Sequence, residues 1–377
     1  MTRTFRLLWS GGFAFFFSFY LLLSALPLYA RQVGVSDGAI GLIIGCFAFS
    51  SMLVKPWAGW ASDRFGRKPL LLAGAIIFLA ASLAYGVSAS APALLGVRLL
   101  HGAGMGLFPT SASAVVADLA PPERRGEYLG FFGAAANIAL ALGPITGMVV
   151  VERLGFGALF AGGALAAVVA LAVSATVPET LREPRRIPLR LQATLSRAAL
   201  FPSLIVLLLM ITYGVQMSFL PLFAHEQAIN SGLFFLVFAL VVAAVRGHAG
   251  RVSDRLGRVP VAATGLALAA GALVTLALTR DVAGLAAAGA LYGLGFGSAQ
   301  PALMAWCVDR VGPQDRGRAM GTYYTALELG IAGGAMSSGL AIGAIGFAGT
   351  FLATAGAAVA GAVLALTARG IRGRPAI

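Results

Sequence analysis

Three side chains in this sequence bear charge or exchange protons where charges are scarce. Glu328 lies in the apolar stretch YYTALELGI (323–331), and Arg98 and His101 lie in VRLLHGAGMG (97–106). A carboxyl group in apolar surroundings is neutral with its proton and charged without it, which is what a proton carrier requires. Imidazole exchanges protons near neutral pH, whereas a guanidinium keeps its charge. A second set of charges is framed by glycine. The phrase GWASDRFGRKP (59–69) returns as GRVSDRLGRVP (250–260). In it Asp63 and Arg67 stand four residues apart, as do Asp254 and Arg258, the spacing of an ion pair along a helix. Asp118 and Asp309 are further acidic partners for the two arginines.

These residues do not form a catalytic set. The sequence holds no zinc-binding His/Glu helix, no nucleophile elbow and no phosphate loop. Cys46 and Cys307 fall in apolar segments and read as small packing residues, neither a disulfide nor part of a metal site. No metal and no cofactor is expected.

The elements that position these charges follow from composition. The chain has 377 residues, 59% of them hydrophobic and 11% charged. A water-soluble domain is about a quarter charged, so the apolar surface here needs lipid as its solvent. Apolar runs such as 70–87 and 201–223 are long and do not alternate, which selects helices over barrel strands. Twelve spans are predicted, near 6–30, 38–61, 69–88, 91–118, 127–151, 155–177, 201–224, 230–252, 259–279, 282–308, 317–341 and 345–368. The run 7–30 is read as a first span; a cleaved leader is the alternative. The expected organisation is a six-helix bundle at 1–177, a linker at 178–200 and a second bundle at 201–377.

The net charge of +13 is distributed unevenly. With the N-terminus inside, 21 basic residues fall on inner segments and three, Arg31, Arg153 and Arg280, on outer ones. The positive-inside bias therefore places both termini in the cytoplasm, and the basic excess is a topology signal with no nucleic-acid partner implied. Lys55 and Arg246, one turn deeper than the repeated phrase, are read as snorkelling toward headgroups, with a substrate role as the alternative. The Arg-rich linker reads equally as a tether or as an amphipathic segment on the lipid surface.

One offset of 191 residues joins Lys55 to Arg246, Asp63 to Asp254, Arg67 to Arg258 and Asp118 to Asp309. It also joins Gly102, Gly104 and Gly106 to Gly293, Gly295 and Gly297. An even number of spans per copy makes this a parallel repeat, which implies a midplane binding site between the halves.

Gly59-x3-Asp63-Arg64-x-Gly66-Arg67-Lys68 between the second and third spans, with its copy at Gly250, resembles the signature loop of the major facilitator superfamily. The resemblance covers nearly the whole chain. It implies an all-α membrane fold of two six-helix bundles about a pseudo-twofold axis, working by alternating access. Asp63, Arg64, Arg67, Asp118, Asp254, Arg258 and Asp309 would then gate the inner mouth; the alternative is that they only set topology. Arg98 followed by Gly102 and Gly104 resembles the family's fourth-helix signature, which in proton-coupled relatives assists proton transfer. His101 is a second candidate there, or a hydrogen-bonded packing residue. Glu328 would carry the coupled proton, with a structural role as the alternative; its repeat counterpart is Asn137. Gly143, Pro144 and Gly147 resemble the antiporter signature, which is departed from at Ala139 and Met148. In this fold the first, fourth, seventh and tenth helices line the cavity. Phe13, Phe17, Tyr20, Met105, Asn137, Tyr213, Gln216, Tyr292, Phe296, Gln300 and Tyr324 would present an aromatic wall with few polar groups, suited to amphiphilic organic molecules. The same spacing also serves ordinary helix packing. The leading expectation is a monomeric, proton-driven exporter in a bacterial cytoplasmic membrane, with lipids and protons as its partners besides the substrate. The alternatives are a carrier of sugars or other polar metabolites and, last, a membrane enzyme or receptor.

Overall fold

The computed structural model describes residues 2–121, 124–181, 195–312 and 315–367, and among them every regular element is a helix. Most of the linker's arginines and the C-terminal Arg369, Arg372 and Arg374 lie outside these residues. In chain order the elements are α1 (Arg3–Leu23), α2 (Leu26–Gln32), α3 (Asp37–Phe65), α4 (Arg67–Tyr85), α5 (Ala91–Leu119), α6 (Arg125–Ala175), α7 (Arg197–Glu226), α8 (Gly232–Leu256), α9 (Arg258–Leu278), α10 (Val282–Asp309) and α11 (Arg316–Thr367). Ten stretches of the described chain are long and apolar enough to cross a membrane, α1 and α2 counting as one. The other expected crossings lie inside two of them. Glu127–Ala175 spans 49 residues and Arg318–Thr367 spans 50, each about 74 Å of helix against a hydrocarbon core of about 30 Å. Each is interrupted once by a glycine with non-helical torsions, Gly155 (φ 80°, ψ 178°) and Gly346 (φ 68°, ψ 179°).

Helix ends follow local chemistry. Ser36 Oγ accepts the Ala39 amide at the start of α3, and Asp281 Oδ1 accepts the Gly284 amide at the start of α10. Pro27 stands in the first turn of α2, where its missing N–H costs nothing. Between α3 and α4 the chain turns at Gly66 (φ 109°), and between α8 and α9 at Gly257 (φ 94°). Four of the five positive-φ glycines among the described residues thus pair at the same 191-residue offset, Gly66 with Gly257 and Gly155 with Gly346.

The chain divides into two units, Met1–Leu191 with Asn230–Gly232, and Gln192–Ile229 with Leu233–Ile377. In the first, α1 packs along α6, and α5 lies between α3 and α4. The glycine row of α5 makes that position possible. Gly102 faces the Phe47 carbonyl of α3, and a methyl group on Gly106 would lie 2.8 Å from Val54 Cβ. Gly104 faces the other way, where an added methyl group would lie 2.7 Å from the Phe78 ring of α4. The second unit repeats the alternation: Gly293 and Gly297 meet Val241 and Val242 of α8, while Gly295 meets Ala269 of α9. Here α7 packs on α11, with Gly330 against Met210 and Gly334 against Ile211. Small residues let backbones approach within dispersion range, and lipid supplies little other drive for helices to associate. Large apolar side chains such as Leu53, Leu83, Leu340 and Val363 are correspondingly exposed.

Gly102→Val forces α5 off α3, and overpacking of this kind costs about 1–3 kcal/mol or more. The expected outcome is a clear loss of monodisperse protein on size exclusion in detergent. Gly96→Val, one turn and a half earlier with no atom within 4 Å of an added methyl, leaves recovery unchanged.

Candidate functional site

The repeated phrase builds the same ion cluster in each unit. Arg67 begins α4 immediately after Gly66, so its side chain reaches back along the last turn of α3. Its Nη1 donates to the Asp63 carboxylate and to Ser62 Oγ (3.3 Å), and its Nε donates to Asp118 Oδ2 (3.3 Å) at the end of α5. In the second unit Arg258 Nη1 donates to Asp254 and to Ser253 Oγ (3.3 Å), and Nε to Asp309 Oδ2 (2.8 Å). Each guanidinium therefore bridges carboxylates on two other helices, which a planar fork of donors does and an ammonium does poorly. The Arg67 side chain is 12% exposed and that of Arg258 25%, so the first cluster is better shielded from water. Arg64 does not join it; its guanidinium lies 5.5 Å from the Trp60 ring and 5.6 Å from that of Phe65.

Glu179 belongs to the first cluster, and it is not among the site residues expected from the sequence. Its carboxylate accepts the backbone amides of Arg67 (3.0 Å), Lys68 (3.0 Å), Thr180 (2.9 Å) and Leu181 (2.8 Å). It thereby caps α4, whose N-cap residue is Gly66 and has no side chain to do so. Thr180 Oγ1 adds a bond to Asp118 Oδ2 (2.8 Å). A side chain at position 66 would strike the Glu179 carboxylate, a second reason for glycine there beyond its positive φ. Burial pushes the Glu179 carboxyl up, but the four amide hydrogen bonds outweigh it and hold the group below the ordinary glutamate range. The only sequence signal is an acid soon after the sixth span.

Within the spans, Arg98 and His101 are brought together inside the first unit. Arg98 is 1% exposed, its guanidinium 5.0 Å from the centre of the Phe47 ring, and none of its three nitrogens has a hydrogen-bond partner among the described residues. His101 Nδ1 pairs with Tyr85 Oη at 3.1 Å, while Nε2 has no hydrogen-bond partner among the described residues and the rings of Phe19, Phe47 and Phe78 surround the imidazole. Met105, further along α5, is half-buried and outside this group. The offset places Gly289 and Tyr292 at the corresponding positions of α10. Tyr292 is fully buried, bonded to Thr212 Oγ1 at 2.8 Å, and Gln216 Nε2 donates to the Thr212 carbonyl at 3.2 Å.

The remaining candidates fall on several helices. Trp9, Phe13 and Phe17 stack in a half-buried column on α1, with Tyr20 next along it. Tyr213 and Phe296 lie 5.4 Å apart, both half-buried. Asn137 on α6 and Gln300 on α10 are half-buried, and Tyr324 on α11 is exposed. Glu328, one turn beyond Tyr324, is 9% exposed. Gly143 and Gly147 seat α6 on Tyr20 and Leu21 of α1 and on Ser24 just past its end, and Ser24 Oγ donates to the Pro144 carbonyl (3.3 Å). These motif residues thus make a close helix contact. Arg246 turns its guanidinium to Gln300 Oε1 on α10. Among the described residues no group of three metal-ligating side chains occurs.

The family model described as Major Facilitator Superfamily matches residues 8–245 and 202–376. The Quinolone resistance protein NorA of Staphylococcus aureus is 26% identical over 144 residues, 38% of this chain and 37% of that protein. The Multidrug resistance protein 1 of Bacillus subtilis is 29% identical over 188 residues, 49% of this chain and 46% of that protein. The chain thus aligns with less than half the length of these curated relatives. Among solved structures, a POT family transporter in complex with a thioalcohol-conjugated peptide superposes with a TM-score of 0.83 at 15% identity, covering 98% of this chain and 96% of the other.

A carboxylate held below its ordinary value stabilises the fold above that value and stops doing so as the pH falls through the folded one. Glu179→Gln should therefore lower the melting temperature at neutral pH, and the difference from wild type should close as the pH drops below 4.5, the ordinary glutamate value. Thermal unfolding in detergent across a pH series checks this.

Proposed function

This chain belongs to the Major Facilitator Superfamily, and from that membership we propose that it exports small amphiphilic organic compounds in exchange for protons. It is an integral membrane transporter rather than an enzyme. The export reading is supported by the names of its relatives, a quinolone and a multidrug resistance protein. The placement we propose is a bacterial cytoplasmic membrane with both termini inside, supported by the 21-to-3 division of basic residues.

The observation that carries proton coupling is Glu328, an acid with 9% exposure in the apolar body of α11. An acid at such a depth normally has a functional reason to be there, and taking up and releasing a proton during the transport cycle is the reason we propose. Arg98 and His101 are a second polar centre available to the same cycle, and the proton gradient is its energy source. The repeated ion clusters fit the role of latches. Each ties three helix ends with charge-assisted bonds strong enough to bias a conformational equilibrium and exposed enough to be broken.

Glu328→Gln should abolish accumulation driven by an imposed pH gradient in inverted vesicles, screened with dyes, antibiotics and sugars, while leaving the protein folded. Full retained accumulation would remove Glu328 from the mechanism. Asp63→Asn should raise the inward-open population, read as faster labelling of cysteines introduced at the inner mouth; an unchanged labelling rate would reduce the cluster to a topological role.

A further inference from the structure

Arg246 stands eight residues before Asp254 on α8, and Gln300 nine residues before Asp309 on α10. Both therefore lie about 12–14 Å from the helix ends marked by the second ion cluster, a depth at which a guanidinium needs a partner. What it has is Gln300, whose Oε1 accepts from Nη2. A guanidinium carries five N–H donors, and no carboxylate among the described residues pairs with Arg246. The residue is nevertheless half-buried rather than sealed.

The surroundings are polar on one side and aromatic on the other. The phenols of Tyr323 and Tyr324 lie within electrostatic reach of the guanidinium. Tyr323 is buried and donates to the Gln300 carbonyl (3.5 Å), while Tyr324 is exposed. One helical turn before Gln300, about 6 Å along α10, Phe296 presents a half-buried ring against Tyr213. The arrangement is absent from the first unit. There the offset places Lys55 for Arg246 and Pro109 for Gln300, and proline has no amide to receive the cation. The polar pair is therefore not something the duplicated scaffold needs in order to fold.

We propose that Arg246, oriented by Gln300, is a recognition point for an oxyanion, and that the transported molecules include aromatic acids. A carboxylate would take the unused guanidinium donors in a forked pair while its ring system lies on Phe296 and Tyr213. The proposal rests on the reading of the chain as a carrier of amphiphilic compounds and names one class of them.

The test uses the full chain in detergent, with 9-anthracenecarboxylate and its neutral amide as paired probes, and binding measured by equilibrium dialysis. Arg246→Gln should weaken carboxylate binding roughly tenfold or more and leave the amide within about twofold, since a charged hydrogen-bonded pair is lost and ring contacts are not. Arg246→Lys should fall between. Gln300→Glu, which supplies a built-in carboxylate to the same cation, should abolish the preference for acid over amide even if Arg246→Gln does not fold. An equal loss for both probes, or unchanged carboxylate binding, would overturn the subsite while leaving the carrier reading intact. A wild type that binds neither probe would overturn the aromatic-amphiphile reading and the subsite with it.

Discussion

An arginine that directly follows a left-handed glycine is the interaction on which much of each unit depends. Because Gly66 reverses the chain between α3 and α4, Arg67 emerges beside the helix it has just left. From there it meets Asp63 behind it and Asp118 at the end of α5. Gly257 and Arg258 do the same for α8, α9 and α10. Lipid offers little hydrophobic drive between helices, so the register of neighbouring spans is set by close backbone contact and by polar ties at their ends. The glycine row of α5 and its copy on α10 provide the first, and the two arginines the second.

The copies share this scaffold and differ in what they carry inside it. Every partner of Arg67 on helices α3 and α5 has a counterpart around Arg258 at one offset, and so do Gly102, Gly104, Gly106 and Gly143 among the glycines of close approach. Several polar residues within the spans have no such identical counterpart, although Lys55 and Arg246 keep a cation at one offset. Arg98 and His101 stand opposite Gly289 and Tyr292, Asn137 opposite Glu328, and Pro109 opposite Gln300. A residue that a fold needs twice is kept twice; one present in a single copy, at a depth where charge is costly, must answer to some other requirement. That reasoning separates the ion clusters, present in both copies, from Arg98, whose repeat position holds Gly289.

Fold class, the repeat and the membrane setting were legible because each rests on a one-dimensional regularity. Apolar runs too long for a soluble helix, basic residues sorted to one side and a constant offset all survive without coordinates. The pairing of Arg67 with Asp118 was legible as a candidate too, since the topology puts both residues at the inner ends of their spans. The cavity candidates are another matter. Helical spacing put Phe13, Phe17 and Tyr20 on one face, and they share a half-buried column, whereas Tyr292, chosen by the same rule, is fully enclosed and bonded to Thr212.

What the sequence determined by itself is therefore whatever depends on period and neighbourhood along the chain: the spans, their duplication and the residues at their ends. What only the tertiary structure decided is where a long side chain finds its partner. Glu179 reaches across 112 positions to cap α4, and Arg246 bonds to Gln300 across 54 positions. Neither contact leaves a periodic trace, because the partner is brought up by the packing of other helices, and a flexible polar side chain takes whichever acceptor that packing puts within about 3 Å.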